Sequence, residues 1–301
     1  MIDQLLFDGF GDLEIEKRNY GTLYHYTSIN SLKSIIENKQ LWVTRSDFLN
    51  DPGEISYFGN LVLTTIASIR TTNSINNKWL SVLETHYKNF FLKTYPRNFY
   101  ILSLSTDHDA LAMWNYYGKN DGYSIGINLE SLLEIINRDD ISFAHGAVIY
   151  DADTQIKILN NEIHYAYKHW VKHHNSSENQ LHTTVDTLIS RWEYYALLFK
   201  HPAYKMEGEY RIVIPHSNRF DVQYRTAHGI FTPFIKINAA KSNDDKGQLE
   251  EERFPLESIT IGPLIKHENA EIGLREWLRK HSYDLSEPNQ AIYPSLVPIR
   301  F

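Results

Sequence analysis

The order in which strand-like and helix-like stretches follow one another constrains this fold most. LYHYT, QLWVT, NFYILSLST, GYSIGIN and GAVIY read as strands, from alternation or from runs of branched and aromatic residues. Between the first two, INSLKSIIEN sets Ile29, Leu32, Ile35 and Ile36 on one helical face, with Ser28 or Asn30 as its cap. Two helices are predicted over about 55–95, split near TTNSINN, and a short one in DHDALAMWNYYG, capped by Asp107 or Asp109. Another follows at about 129–137, and two long ones at about 153–174 and 180–200. The last third is mostly strand, in GEYRIVIP, IFTPFIKI, LESITIGP and YPSLVPIRF, with one helix at about 269–280. No regular strand-helix-strand beat runs through this order, so a mixed α+β fold is expected rather than a doubly wound sheet. The reading is one domain over 1–301, with the helices at about 153–200 as an insertion.

Several function classes are disfavoured early. Zero cysteines exclude disulfides, thiolate metal sites and a cysteine nucleophile. A formal net charge of −7 argues against a general nucleic-acid binder, though not against a local basic groove. The longest apolar runs are too short and polar to span a bilayer, and the acidic first residues lack a basic leader. A cytoplasmic protein with no membrane partner is expected. No glycine-rich phosphate loop and no Gly-x-Ser-x-Gly elbow occur. His169 and His173 stand four apart on a helix, but no acid completes a metal motif, and a solvated polar face is the plainer reading.

The segment KMEGEYRIVI carries more information. On a strand, Glu207, Glu209 and Arg211 share one face, and two like charges there need a cation or a developing positive charge between them. The plain alternative is a Glu209–Arg211 pair on a solvated sheet. Earlier in the chain, Asp47, Asp51 and Glu54 flank an Asn-Asp-Pro-Gly turn, where Asp51 suits a structural role. Ser103 and Ser105 share a strand face, followed by Trp114 and Tyr117 at i, i+3. Hydroxyls and a ring would suit a flat heteroaromatic amide, whereas cross-strand hydrogen bonds and a core tryptophan are the plain alternative.

Taken in order, LYHYTS, QLWVT, FLNDPGE, LSLST, MWNYYG, GYSIGI, FKHPAYKMEGEYRIVIP and YPSLVPIR resemble a bacterial family of unknown function, numbered twenty-nine seventy-one, over about 22–301. That family in turn remotely resembles ADP-ribosyltransferases, including DNA-modifying DarT-like and diphtheria-toxin-like enzymes. The resemblance implies mainly antiparallel sheets forming a cleft, with NAD as substrate. By position, His25 would hold the adenosine-side ribose, with Tyr26 and Thr27 of the same motif among the cofactor-binding residues. Ser103, Ser105 or Tyr117 would sit by nicotinamide, and Arg45 or Arg211 would meet the pyrophosphate. Glu209 would be the catalytic acid and Glu207 would activate the acceptor. Such an enzyme could be a toxin or phage-defence effector. It would act on a protein or nucleic-acid acceptor and answer to an antitoxin or regulatory partner. A metal-dependent nuclease using Glu207, Glu209, Lys205 and Asp51 is the alternative, followed by a non-enzymatic nucleotide sensor.

Overall fold

A computed structural model describes residues 13, 20–49, 53–94, 99–118, 121–173, 177–227, 229–238, 253–284 and 291–298. The chain opens with β1 (Thr22–Ser28), α1 (Ile29–Asn38) and β2 (Gln40–Arg45), then the long helices α2 (Gly53–Thr72) and α3 (Asn77–Thr94). Next come β3 (Phe99–Ser105), α4 (Leu111–Met113) running into a wide turn over Trp114–Gly118, and β4 (Gly122–Asn128). They are followed by α5 (Leu129–Arg138), β5 (Ala144–Ala147), α6 (Ala152–His173) and α7 (Glu178–Leu198). After a tight 3-10 segment at Pro202–Glu207 come β6 (Glu209–Pro215), β7 (Gln223–Ala227), β8 (Ile230–Asn238) and β9 (Leu256–Ile261). The last elements are α8 (His267–Lys280) and β10 (Ala291–Pro294).

The fold is α+β. Among the described residues, ten strands form one sheet, antiparallel throughout except for the parallel β9–β10 pair. Helices cover both faces. Leu102, Ile125, Ile212 and Ile235 turn toward Leu32 and Ile36 of α1, Leu132 and Ile136 of α5, and Leu278 of α8. Phe99, Ile101 and Val213 turn the other way, into a core with Phe58 of α2, Trp79 and Leu83 of α3, Leu159 and Ile163 of α6, and Trp192 of α7. Thus α6 and α7 share a core and a layer with α2 and α3. A buried ion pair, Glu162 to Arg191 with both contacts at 2.6 Å, joins α6 to α7 inside that layer.

Local signals explain most elements. Ser28 caps α1 by accepting from the Ser31 amide, and Leu32, Ile35 and Ile36 are buried while Ile29 is exposed. The expected caps of the short α4 do not serve as caps. Asp109 instead accepts the Trp114 indole N–H at 2.7 Å and the Leu296 amide at 2.6 Å, binding the turn to the chain after β10. Trp114 is core, 2% exposed, and packs edge-on to Tyr26. Strand β7 was not anticipated. Its polar sequence QYRTA belongs to an edge strand paired only with β8 among the described strands. The strand expected in YPSLVPIRF is short, ending at Pro294.

One feature of the sheet sets the site. Strand β3 pairs along its whole length with β6. On its other side β1 joins it at Ser105, and β2 joins it at Tyr100 and Ile101. From these two ends β1 and β2 diverge, so the sheet forks beside Leu102, Ser103 and Leu104.

Candidate functional site

The side chains at the fork follow from strand alternation. Ser103 and Ser105 share a face with Ile101, and their partners on β6 are Arg211 and Glu209. All of these turn toward the four-helix layer. Ser103 stays partly exposed, whereas Ser105 is fully buried.

Beneath the helices lies a buried ionic cluster. Arg211 spends all five N–H groups. Nε donates to Glu209 at 2.8 Å, and Nη2 donates to Glu209 and to Glu54, each at 2.9 Å. Nη1 donates to Glu54 at 2.9 Å and to the Leu197 carbonyl at 2.7 Å. Lys200 follows directly on α7 and its bridging residue Phe199. It donates to Glu207 at 2.5 Å and to Glu209 at 3.2 Å, and lies 3.3 Å from Glu54. These five side chains are each 10% exposed or less. Three carboxylates and two cations therefore interleave away from water, which is tolerable only because nearly every polar atom is paired.

Protonation follows the packing. Burial alone would raise the Glu209 carboxyl, but Arg211, Lys200 and the Ser103 hydroxyl more than reverse this and hold it at about 2. Burial dominates at Glu207 and raises it despite Lys200. Burial works against the ammonium of Lys200, yet Glu209, Glu54 and Glu207 keep it charged. The cluster thus holds one carboxylate ionised across the ordinary pH range beside a second that burial biases toward the neutral acid.

The other wall of the fork holds His25. Its position opposite Ile125 puts it on the α1/α5 face, half-buried, where the imidazole bonds to the backbone of Ser103. Burial and the nearby Arg225 outweigh that bond and push the ring down to about 4, so it is neutral at physiological pH. Ser103 is therefore a bridge, meeting His25 through its backbone and Glu209 through its hydroxyl.

Arg225, on β7, completes the fork. It lies on the face of Thr232, Phe234 and Thr44, and its Nη2 donates to Thr44 at 3.0 Å. No acid pairs with it among the described residues, its buried Nε has no hydrogen-bond partner, and desolvation lowers its pKa. Two residues along β2, on the same face, Trp42 is 41% exposed and stacks on Phe234 with ring centroids 4.3 Å apart.

Measured against the sequence reading, the structure brings His25, Ser103, Glu207, Glu209 and Arg211 into one neighbourhood. It gives other candidates structural work. The Tyr26 hydroxyl donates to the Asp107 carbonyl at 2.8 Å and accepts from the Ala110 amide at 2.7 Å, anchoring the turn before α4, and Thr27 is buried. Ser105 donates to the Glu207 carbonyl at 2.9 Å and so fixes the start of β6. Arg45 points to the opposite face, pairs with Asp47 at 2.7 and 3.0 Å and stacks over Phe48. Arg211 is fully engaged by Glu54, Glu209 and Leu197, so neither arginine named for a pyrophosphate is free to serve one. The solvated-face alternative for Glu209 and Arg211 also fails, since both are buried. Tyr117 is 38% exposed on the turn after α4, and Lys205 is exposed. Asp51 lies outside the described residues.

Lys200 and Arg225 escaped the sequence reading. The signal for Lys200 was a lysine directly behind the apolar helix end ALLF, seven residues before Glu207. For Arg225 the alternation of QYRTA was too polar to register as a strand. No group of three or more His, Asp or Glu side chains converges as a metal site among the described residues.

No curated protein and no solved structure matches the chain. The family resemblance from the sequence is met over a narrower stretch than expected, and that stretch takes in α6, α7, Lys200, Glu207, Glu209 and Arg211 but not β1. Residues 113–212, from the end of α4 into β6, match the model of the family described as protein of unknown function (DUF2971).

Proposed function

We propose that the fork binds NAD and that the protein is a mono-ADP-ribosyltransferase with Glu209 at its chemical centre. The observation that carries this reading is the Ser103 bridge, which holds a neutral His25 and an ionised Glu209 on either side of a partly exposed strand residue. A neutral imidazole whose N–H is held by the Ser103 backbone still offers its second nitrogen as an acceptor to a ribose hydroxyl. An ionised carboxylate on a rigid strand suits the positive charge that grows on the ribose when its bond to nicotinamide breaks. In that step the C1′–N electron pair leaves with nicotinamide. The acceptor's nucleophile then forms the new bond to C1′ and gives its proton to the Glu207 carboxylate, whose raised pKa makes it the stronger base and which Lys200 holds at 2.5 Å.

The pyrophosphate role passes from Arg45 and Arg211 to Arg225. A half-buried guanidinium without an acid partner among the described residues is costly in the free protein, and a phosphate offsets that cost with charge-assisted hydrogen bonds. Trp42 offers a ring face for a base on the same side of the sheet.

The test is nicotinamide release from NAD by the full chain, alongside the Glu209→Gln and Ser103→Ala variants. Glu209→Gln is expected to reduce release by about 10²-fold or more, in the range for loss of one electrostatic stabiliser. Release unaffected by Glu209→Gln in a folded protein would refute the mechanism. No nicotinamide release by the full chain, together with nucleic-acid cleavage that requires added Mg²⁺, would favour the nuclease.

A further inference from the structure

On the helical layer away from the fork, α3 and α7 present a histidine pair with an acid behind it. His86 Nδ1 lies 2.9 Å from Asp186, and His86 Nε2 lies 2.9 Å from His182 Nδ1. The two rings are tilted by 36° with centroids 4.9 Å apart. His182 and Asp186 stand one helical turn apart on α7, and Glu178, one turn earlier, adds its charge near His182 while pairing with Lys78 of α3 at 2.9 Å.

We propose that His86 and His182 form a binding site for a borderline transition-metal cation such as Zn²⁺, which clamps α3 to α7. The argument starts from the tautomers. An acid on Nδ1 fixes the His86 proton there and turns the Nε2 lone pair outward, the arrangement in which a carboxylate orients a metal-bound histidine. That lone pair faces Nδ1 of His182, so the two nitrogens share one proton, in the place a metal ion would take. Two Zn–N bonds of about 2.0–2.1 Å at a tetrahedral angle need nitrogens about 3.3 Å apart, so the pair has to open by only a few tenths of an ångström. Imidazole donors select Zn²⁺, Ni²⁺ or Cu²⁺ over Mg²⁺ and Ca²⁺. His86 is 26% exposed and Asp186 is 65% exposed, which leaves room for waters to complete the coordination. The site is separate from the fork, yet α7 runs directly into Lys200, so a clamp here stiffens the helix that delivers the ammonium to Glu207 and Glu209.

The experiment is calorimetric titration of the untagged full chain with ZnCl₂, paired with melting curves. One Zn²⁺ per chain and a saturable rise in melting midpoint are expected. His182→Ala, an exposed position, is expected to leave the metal-free midpoint unchanged and to abolish both effects, and Asp186→Asn to weaken binding about 10-fold or more. Two outcomes overturn the proposal. One is the absence of saturable binding. The other is binding indifferent to His86→Ala and His182→Ala, which would move the ion elsewhere, for instance to the His169–His173 pair on α6 with rings 4.7 Å apart.

Discussion

Replacing Arg211 by methionine isolates what the ionic cluster contributes. The substitution keeps an unbranched side chain of similar reach and deletes a guanidinium whose five N–H groups all have acceptors. Glu54 and Glu209 would then share Lys200 with Glu207, leaving three buried carboxylates against one cation. Breaking a buried pair on one side costs about 3–5 kcal/mol, because the remaining charge stays in the interior. Proton linkage gives a similar figure. Holding Glu209 at about 2 rather than at the ordinary 4.5 corresponds to about 3 kcal/mol, much of it due to Arg211. The sign is that of a depressed carboxyl: its contribution is complete above about 4.5 and disappears as pH falls toward 2. Urea unfolding followed by tryptophan fluorescence is therefore expected to show a loss of about 3–5 kcal/mol at pH 7.5, narrowing on acidification. The double variant Glu54→Gln, Arg211→Met should fall short of additivity by about 0.5–3 kcal/mol, as contacting residues do. A loss below about 1 kcal/mol at pH 7.5, or strict additivity, would refute the cluster's role in holding β6 to α2 and α7.

Other perturbations follow from the same geometry. Burial raises the Glu193 carboxyl on α7 to about 7, so its ionisation opposes folding as pH rises from about 4.5 through 7. Glu193→Gln should accordingly stabilise the protein at pH 8 and make no difference at pH 4, as melting curves at the two pH values would read. Tyr26→Phe removes a hydroxyl that both donates to Asp107 and serves Ala110, and should cost about 1–3 kcal/mol in urea unfolding. Gly208→Ala places a Cβ 2.8 Å from the Thr106 hydroxyl at a φ of +52°, and should destabilise by about 1–2 kcal/mol in the same assay. His25 should remain neutral down to about pH 5 in a histidine NMR titration, since its ring is held at about 4.

Much of the fold was legible because its elements are local. The i, i+3, i+4 pattern of α1 and the alternation of β3 and β6 are each written within ten residues and found where expected. The two long helices were also legible as helices. Their placement was not, because nothing local to residues 152–198 says that their apolar faces meet those of α2 and α3. Strand β7 was missed for a related reason: an edge strand carries too little buried surface to impose an apolar pattern. At the site, alternation put Glu209 and Arg211 on one face of β6, whereas Glu207, expected on the same strand, ends the 3-10 segment before it and reaches the cluster from there. Alternation could not show that Glu54, more than 150 positions earlier, and Lys200 converge on them, which turns a solvated pair into a buried network. Arg45 illustrates the limit most plainly. Its strand was anticipated, but the phase of that strand in the sheet, which points it at Asp47 and away from Glu209, is set by pairing with Tyr100.

The claim that the fork is the NAD site is tested most directly by NAD titration of three proteins: the parent chain, Arg225→Gln and Arg45→Gln. Calorimetry and melting curves in the same buffer supply the readout. The account requires saturable NAD binding to the parent, binding weakened about 10-fold or more by Arg225→Gln, and binding left intact by Arg45→Gln, whose guanidinium is already held by Asp47. Equal affinity in the parent and Arg225→Gln, or no NAD binding to the parent at all, would contradict it.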